Sequence, residues 1–338
     1  MRKRIAPLML VVTLILLSGC ATVGLSENVG VKTGLAIVPS FTSSKAATAD
    51  AAGLAQVDAT YAGVLVGADG KIVKCVIDTY QAKVKFDATG KITSDLTAPV
   101  QSKNVLGDAY GMRSKSGIGK EWNEQAAAFA DYCVGKTADE VAAIALDAEG
   151  KATAEDVRAG ATIHVSDLIK AVVAACQNAQ DLGAKATDKL GIASEVDLAG
   201  RSKDATAEAA GVGYAYAYYT ATTFGADGKI TSSALNASQF SVQFDATGKI
   251  VTDLAAPQQD KQQLKDAYGM KAKSGIGKEW YEQANFFAEY VKGKTAEEVS
   301  AVAVDDKGHA TGEDVRAGAT VSITDFQKVI AAAAATAK

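Results

Sequence analysis

Asp156-Val157-Arg158-Ala159-Gly160-Ala161-Thr162 occurs twice in this chain, returning letter for letter as Asp314-Val315-Arg316-Ala317-Gly318-Ala319-Thr320. The interval of 158 residues superposes most of the sequence on itself without a gap. Lys45 falls on Lys203, Phe86 on Phe244, Trp122 on Trp280 and Val173 on Ala331. A period this long is that of a duplicated domain, not of a solenoid with a repeat of about 20–50 residues. At 338 residues the chain has room for two units of roughly 130–150 residues, each expected to bury a core of its own.

Composition places the chain among ordinary globular proteins: 48% hydrophobic, 22% charged and four prolines. The net charge is −4 with acids and bases interspersed, which argues against a nucleic-acid surface. The two histidines, His164 and His309, are not equivalent across the repeat, and no Cys-x-x-Cys spacing exists. Metal chemistry therefore has almost no ligand set to work with. Cys75, Cys133 and Cys176 fall on Ser233, Val291 and Ala334, so no thiol function is common to both copies. Cys75 and Cys133 read as small buried hydrophobes.

The N-terminus carries an address. Arg2, Lys3 and Arg4 form a positive segment, and the apolar stretch Ile5 to Leu17 is 13 residues long, short for a bilayer span. It ends in Leu17-Ser18-Gly19-Cys20, which resembles the lipobox of bacterial lipoproteins. That resemblance implies that residues 1–19 are a signal peptide and that Cys20 is acylated. The mature protein is then held at an extracytoplasmic membrane face by lipid, in the bacterial cell envelope or exposed extracellularly. Ala21 in place of an aspartate leans toward the outer membrane of a two-membrane cell. The other reading is a plain secretory signal.

The remaining organisation follows the repeat. A tether over 20–30 leads to a first domain over 31–176, a polar, alanine-rich linker over 177–190, and a second domain over 191–338. Thr60 to Val66 and Lys71 to Asp78 read as strands joined at Gly67-Ala68-Asp69-Gly70, and a further strand pair is expected around Asp87-Ala88-Thr89-Gly90. Both turns recur in the second copy. Trp122, Ala126, Phe129, Ala130 and Cys133 then form one apolar helical stripe, matched by Trp280, Ala284, Phe287, Ala288 and Val291. Glu121, Glu124, Glu279 and Glu282 read as solvated charge beside it. Thr137 with Glu140, and Thr295 with Glu298, read as capping boxes, and Gly135 and Gly293 as helix-ending glycines. Final helices are expected with Ser166 and Thr324 as N-caps. Strands first and helices later predict an α+β fold: two tandem homologous domains, each a hairpin-rich antiparallel sheet followed by packed helices.

This order of elements, with the Ser116-Gly117-Ile118-Gly119 and Ser274-Gly275-Ile276-Gly277 turns and the Asp-x-x-x-Gly-Ala-Thr segment, resembles the FMN-binding domain of flavinylated extracytoplasmic proteins. Flavin-carrying subunits of Rnf-type and sodium-pumping NADH:quinone oxidoreductases belong to that family, as do flavinylated surface lipoproteins. The resemblance implies FMN joined through its phosphate to Thr162 and Thr320 by a flavin transferase. Asp156, Gly160 and Ala161, with Asp314, Gly318 and Ala319, would complete the segment that the transferase reads. Gly117, Gly119, Gly275 and Gly277 would let a flat ring approach the backbone. The expected function is electron relay, with redox partner proteins or quinone-linked donors, and no turnover chemistry in the protein itself. Ala159 and Ala317 depart from the family's Ser or Thr at that position. The Ile163 to Ser166 and Val321 to Thr324 stretches alternate like strands where the family has polar residues.

Readings without flavin remain beside this one. Thr153 with Asp156 and Thr311 with Asp314 also fit capping boxes, with Gly160 and Gly318 as helix-ending glycines and Thr162 and Thr320 as strand residues. Trp122 and Trp280 fit a core. Tyr110-Gly111-Met112 and its copy Tyr268-Gly269-Met270 fit either a pocket wall or a plug. Tyr214, Tyr216 and Tyr218 mark one strand face in the second copy only. A cofactor-free surface lipoprotein with a structural or partner-binding role, or a module that binds another small ligand, would use the same fold.

Overall fold

The computed structural model of the protein describes residues 30–338; the leader, Cys20 and nearly all of the tether lie outside the described residues. The fold is α+β, with two antiparallel three-stranded sheets, each followed by helices. The first copy contributes β1 (Lys32–Ser40), β2 (Gly53–Val66) and β3 (Ile72–Phe86), then α1 (Lys103–Leu106), α2 (Trp122–Cys133), α3 (Ala138–Ala142), α4 (Glu155–Arg158) and α5 (Ser166–Gln177). The second repeats them as β4 (Lys189–Asp197), β5 (Gly211–Phe224), β6 (Ile230–Phe244), α6 (Lys261–Leu264), α7 (Trp280–Tyr290), α8 (Ala296–Ser300), α9 (Glu313–Arg316) and α10 (Thr324–Thr336).

The hairpin read from Gly67–Gly70 joins β2 to β3, and Gly70 takes the left-handed φ of 76° that such a turn asks of glycine. The second expected hairpin is cut short after its turn and first rungs, in which the Asp87 N–H donates to the Lys91 carbonyl and the Thr93 N–H to the Lys85 carbonyl, both at 2.9 Å. Phe86 and Ile92 make a single bridge around the Asp87–Gly90 turn, and the Ile92 N–H then donates to Asp204 Oδ1 of the other copy at 2.7 Å. A carboxylate from across the repeat takes the donor that a neighbouring strand would have used.

Each copy buries a core of its own under its helices, as expected, and a further core is shared. The two sheets face each other and share a central core. Ala55, Val57, Ala59, Tyr61 and Leu65 of β2 meet Ala215, Ala217, Tyr219 and Ala221 of β5. The alternate residues of β2, Ala62, Val64 and Val66, face α2 and α5 in a second core, and the helices of the second copy cover a third. The layers run helix, sheet, sheet, helix. Residues alternate between two buried faces, which explains why the run from Thr60 to Val66 is buried throughout.

The repeat is also a pseudo-twofold axis. The Ala47 N–H donates to the Gly248 carbonyl, and the Ala205 N–H to the Gly90 carbonyl, both at 2.8 Å. The segment read as a linker is tied down. Thr33 and Gln180 exchange backbone hydrogen bonds at 2.9 and 3.0 Å, Ala184 and Ala186 are buried, and Lys189 and Leu190 already belong to β4. No helix among the described residues is long and apolar enough to cross a membrane.

Candidate functional site

Helix α2 supplies the frame. Its stripe residues Trp122, Ala126, Phe129 and Cys133 are buried as expected, but so is a polar member, Gln125, at 0% exposure. A buried amide must find partners, and Gln125 finds them on both sides. Its Nε2 donates to Ser116 Oγ at 3.1 Å and to the Lys120 carbonyl at 3.0 Å. Its Oε1 accepts from the Thr162 N–H at 2.8 Å and from the Thr162 hydroxyl at 3.2 Å. One side chain thus ties the glycine turn to the heptapeptide's threonine. Gln283 repeats the arrangement with Ser274, Lys278 and Thr320. Neither glutamine was singled out from the sequence. The signal was there: a polar residue kept in both copies in the middle of an apolar stripe.

Glu121 and Glu279, read as solvated, are 2% exposed. Glu121 caps α2 reciprocally with Glu124, and its two oxygens accept the Met112 and Arg113 N–H groups at 2.8 Å each. Glu279 does the same for Met270 and Lys271. These carboxylates fix the loop ahead of the helix by satisfying its backbone donors.

In the first copy this frame opens onto a cleft of about 990 Å³, at the upper end of the usual range of about 300–1,000 Å³ for ligand sites. Thr162 lines it, with Trp122, Tyr110, Met112 and Gly117. A Cβ added at Gly117 would meet nothing within 4 Å, so the backbone there is open to a ligand. Asp58 and Thr60 of β2 and Thr79 of β3 form a polar floor. Thr60 and Thr79 share a 2.9 Å hydrogen bond, and Asp58 accepts from Gln56 at 2.7 Å and from Ser43 at 3.0 Å. Lys103, Lys115 and Lys151 bring positive charge to the same walls. The Lys103 ammonium lies 4.7 Å from the Trp122 ring and 4.8 Å from Tyr110. Burial lowers its pKa, while Asp58 and Asp78 pull the other way.

The other predicted residues separate into distinct places. Asp156 and Arg158 are exposed and do not line the cleft, nor does Ala159. Asp156 stands beside Tyr132; burial and then this carboxylate push that phenol upward. Asp314 stands likewise beside Tyr290. Gly160 and Gly318 have no positive φ, so they are not left-handed helix-ending glycines. Their missing Cβ is required by packing. It would lie 2.8 Å from Ala128 Cβ in the first copy and inside the Phe286 ring in the second. Ala161 and Ala319 are buried in the cores. Gly119 and Gly277 each take a φ of 63° to close their turns, and Gly275, like Gly117, is unobstructed.

Thr153 and Thr311 cap nothing: the caps of α4 and α9 are Ala154 and Gly312. The stretches after Thr162 and Thr320 form no strand, only the bridges His164–Lys151 and Ser322–His309. The last helices begin at Ser166 and Thr324 with Val165 and Ile323 as caps, one residue before the expectation. The Thr137 and Thr295 capping boxes form as read. Cys75 and Cys133 are buried, and burial drives the Cys133 thiol up to about 12. No group of His, Cys, Asp and Glu among the described residues is disposed to hold a metal ion.

The second copy keeps the frame but not the floor. Asp58, Thr60, Thr79 and Leu168 are replaced by Tyr216, Tyr218, Ala237 and Phe326. Tyr216 and Tyr218 stack at 5.1 Å, and Tyr218 meets Phe326 edge-on at 5.3 Å. Phe326 in turn packs on Trp280 and Phe287, both at 5.8 Å. Lys261, the counterpart of Lys103, is 1% exposed, with its ammonium 2.6 Å from the Tyr216 hydroxyl. Burial, and then repulsion from Arg201, lower this lysine to about 7.

Over 39 residues, 12% of this chain, the sequence is 62% identical to a chlorophenol reductase of Desulfitobacterium hafniense, and the match covers 12% of that protein too. No protein-family model matches the chain, and no solved structure matches it significantly.

Proposed function

We propose that the protein is a lipid-anchored extracytoplasmic flavoprotein that relays electrons through FMN esterified to threonine of the heptapeptide, Thr162 and/or Thr320. One observation carries the reading: the Thr162 hydroxyl, a nucleophilic oxygen, is held by the buried Gln125 at the wall of a large cleft with aromatic and cationic sides. The donor set fits the group. Lys103, Lys115 and Lys151 would meet the phosphate and the ring's carbonyls. Trp122, Tyr110 and Met112 would meet the ring itself. The bare backbone at Gly117 leaves room for its edge. Bound FMN supplies reversible electron uptake; the protein supplies attachment, burial and electrostatics.

Attachment by a flavin transferase needs an activated donor, a flavin dinucleotide. The Thr Oγ1–P bond forms, the donor's pyrophosphate bond breaks, a nucleoside monophosphate leaves, and the hydroxyl proton passes to solvent. Cys20 would be the lipid anchor, and electrons would pass between redox partner proteins or quinone-linked donors. The test is co-expression of the mature chain with a flavin transferase, followed by denaturing electrophoresis. The reading predicts flavin fluorescence that stays on the polypeptide band. A colourless, non-fluorescent band contradicts it, and leaves a flavin-free partner-binding role for the fold.

A further inference from the structure

We infer that the two copies have divided their work: the first holds the cofactor, while the second is a closed scaffold whose Thr320 carries none. The inference rests on the flavin reading above and goes beyond it, because the heptapeptide is identical in both copies and cannot by itself distinguish them.

The difference lies in what faces the threonine. In the first copy, Asp58, Thr60, Thr79 and Leu168 leave space in front of Thr162, Trp122 and Gln125, and all seven line one cleft. In the second copy the first two of these positions carry phenol rings and the last a phenyl ring. Tyr218, Phe326 and Trp280 are 9%, 0% and 1% exposed, so the rings are packed against one another and not against solvent. A hollow of about 560 Å³ beside these rings is bounded by Tyr216, Tyr218, Asp325 and Lys328 and by Leu96 to Pro99 of the first copy. Thr320, Gln283 and Trp280 do not line it. The cation has been withdrawn as well. Lys103 lines the open cleft against Tyr110 and Trp122; Lys261 keeps the equivalent rings, Tyr268 and Trp280, and adds Tyr216, whose ring lies at 4.6 Å and whose hydroxyl takes its ammonium at 2.6 Å. A flat, anionic ligand would have to displace this aromatic cluster to reach Thr320, and the buried ammonium of Lys261 is already bound to the Tyr216 hydroxyl.

A duplicated protein of this form gains from a closed second copy. Tyr219 and its sheet supply half of the central core on which the first sheet rests, so the second half supports the first without a cofactor of its own.

The experiment is the flavin-to-protein ratio of the denatured mature chain after co-expression with a flavin transferase. The expected ratio is one for the wild type, one for Thr320→Ala and zero for Thr162→Ala. Restoring the first copy's residues with Tyr216→Asp, Tyr218→Thr and Phe326→Leu should raise the ratio to two, and adding Thr320→Ala should return it to one. Should the triple variant fold poorly, the reciprocal change tests the same claim: Thr60→Tyr with Leu168→Phe, in a chain whose melting shows it folded, should drop the ratio to zero. A wild-type ratio of two, flavin retained by Thr162→Ala, or a folded triple variant that gains none would overturn the division while leaving the flavin reading intact. A wild type without flavin would overturn both.

Discussion

Phe86 and Phe244, equivalent residues of the two copies, stack face to face with ring centroids 3.8 Å apart and planes 4° from parallel. Both are fully buried. The contact lies on the pseudo-twofold axis and welds two sheets that the repeat alone would place in separate domains. Removing one ring leaves its mate beside a cavity, so Phe86→Ala is expected to destabilise the protein by about 3–5 kcal/mol. Because the core is shared, calorimetry should show one cooperative transition for the wild type and one, at lower temperature, for the variant. Two resolved transitions, only one of them moved, would mean that the copies fold independently.

Gln125 and Gln283 make the same hydrogen bonds but serve different ends if one cleft is open and the other filled. Truncation to alanine strands buried donors in either copy, at about 1–3 kcal/mol. Comparable losses of stability are therefore expected from Gln125→Ala and Gln283→Ala. Only Gln125→Ala should lower flavin loading, because only it releases the hydroxyl of Thr162. Equal loss of loading in both variants would show that the glutamine acts through stability alone.

Gly160 and Gly318 provide a steric comparison. A methyl at Gly160 would crowd another methyl, Ala128 Cβ, at 2.8 Å; at Gly318 it would enter the Phe286 ring. Overpacking of this kind costs about 1–3 kcal/mol, and more where a ring must move. Gly318→Ala should therefore lower the melting temperature more than Gly160→Ala, and Phe286→Ala should relieve most of the Gly318→Ala defect. Absence of that rescue would place the strain elsewhere.

Asp78 and Asn236 occupy the same position in the two copies, one a carboxylic acid and the other an amide. Burial raises the Asp78 pKa, against the hydrogen bonds of Ser102, Asn104, Thr79 and Tyr61. A carboxyl with a higher pKa in the folded chain than in the unfolded one binds its proton more tightly when folded. Its contribution to stability is fully present below the unfolded value of about 4 and is lost as pH rises through the raised folded value. Asp78→Asn removes that loss, as the second copy already does. The expected result is a shallower fall of melting temperature above about pH 4 and equal or greater stability at neutral pH. Parallel profiles would contradict it.

The sequence made the duplication legible by plain identity, and the β2–β3 hairpin, the α2 stripe and the Thr137 and Thr295 capping boxes because each depends on residues close together along the chain. It hid what depends on the other copy. Ala55, Ala59, Ala215 and Ala217 look unremarkable in a strand, yet they are where two sheets meet. Glu121 read as solvated because its partners, the Met112 and Arg113 amides, belong to an irregular loop that no periodicity describes. The heptapeptide drew attention to Thr162, but its identity in both copies concealed the difference at Tyr216, Tyr218 and Phe326. The tyrosines were visible as a pattern peculiar to the second copy; that they fill a cleft could be seen only once β5 was set against α10.

The central claim places a flavin phosphate on one oxygen, Thr162 Oγ1. Tryptic cleavage after Arg158 and Lys170 gives the peptide Ala159–Lys170 with Thr162, and cleavage after Arg316 and Lys328 gives Ala317–Lys328 with Thr320. Mass spectrometry of the two peptides from the flavin-loaded, transferase-treated protein tests the claim most directly. The account predicts an FMN adduct localised to Thr162 in the first peptide and an unmodified second peptide. An unmodified Ala159–Lys170 peptide, whatever the second one carries, would contradict it.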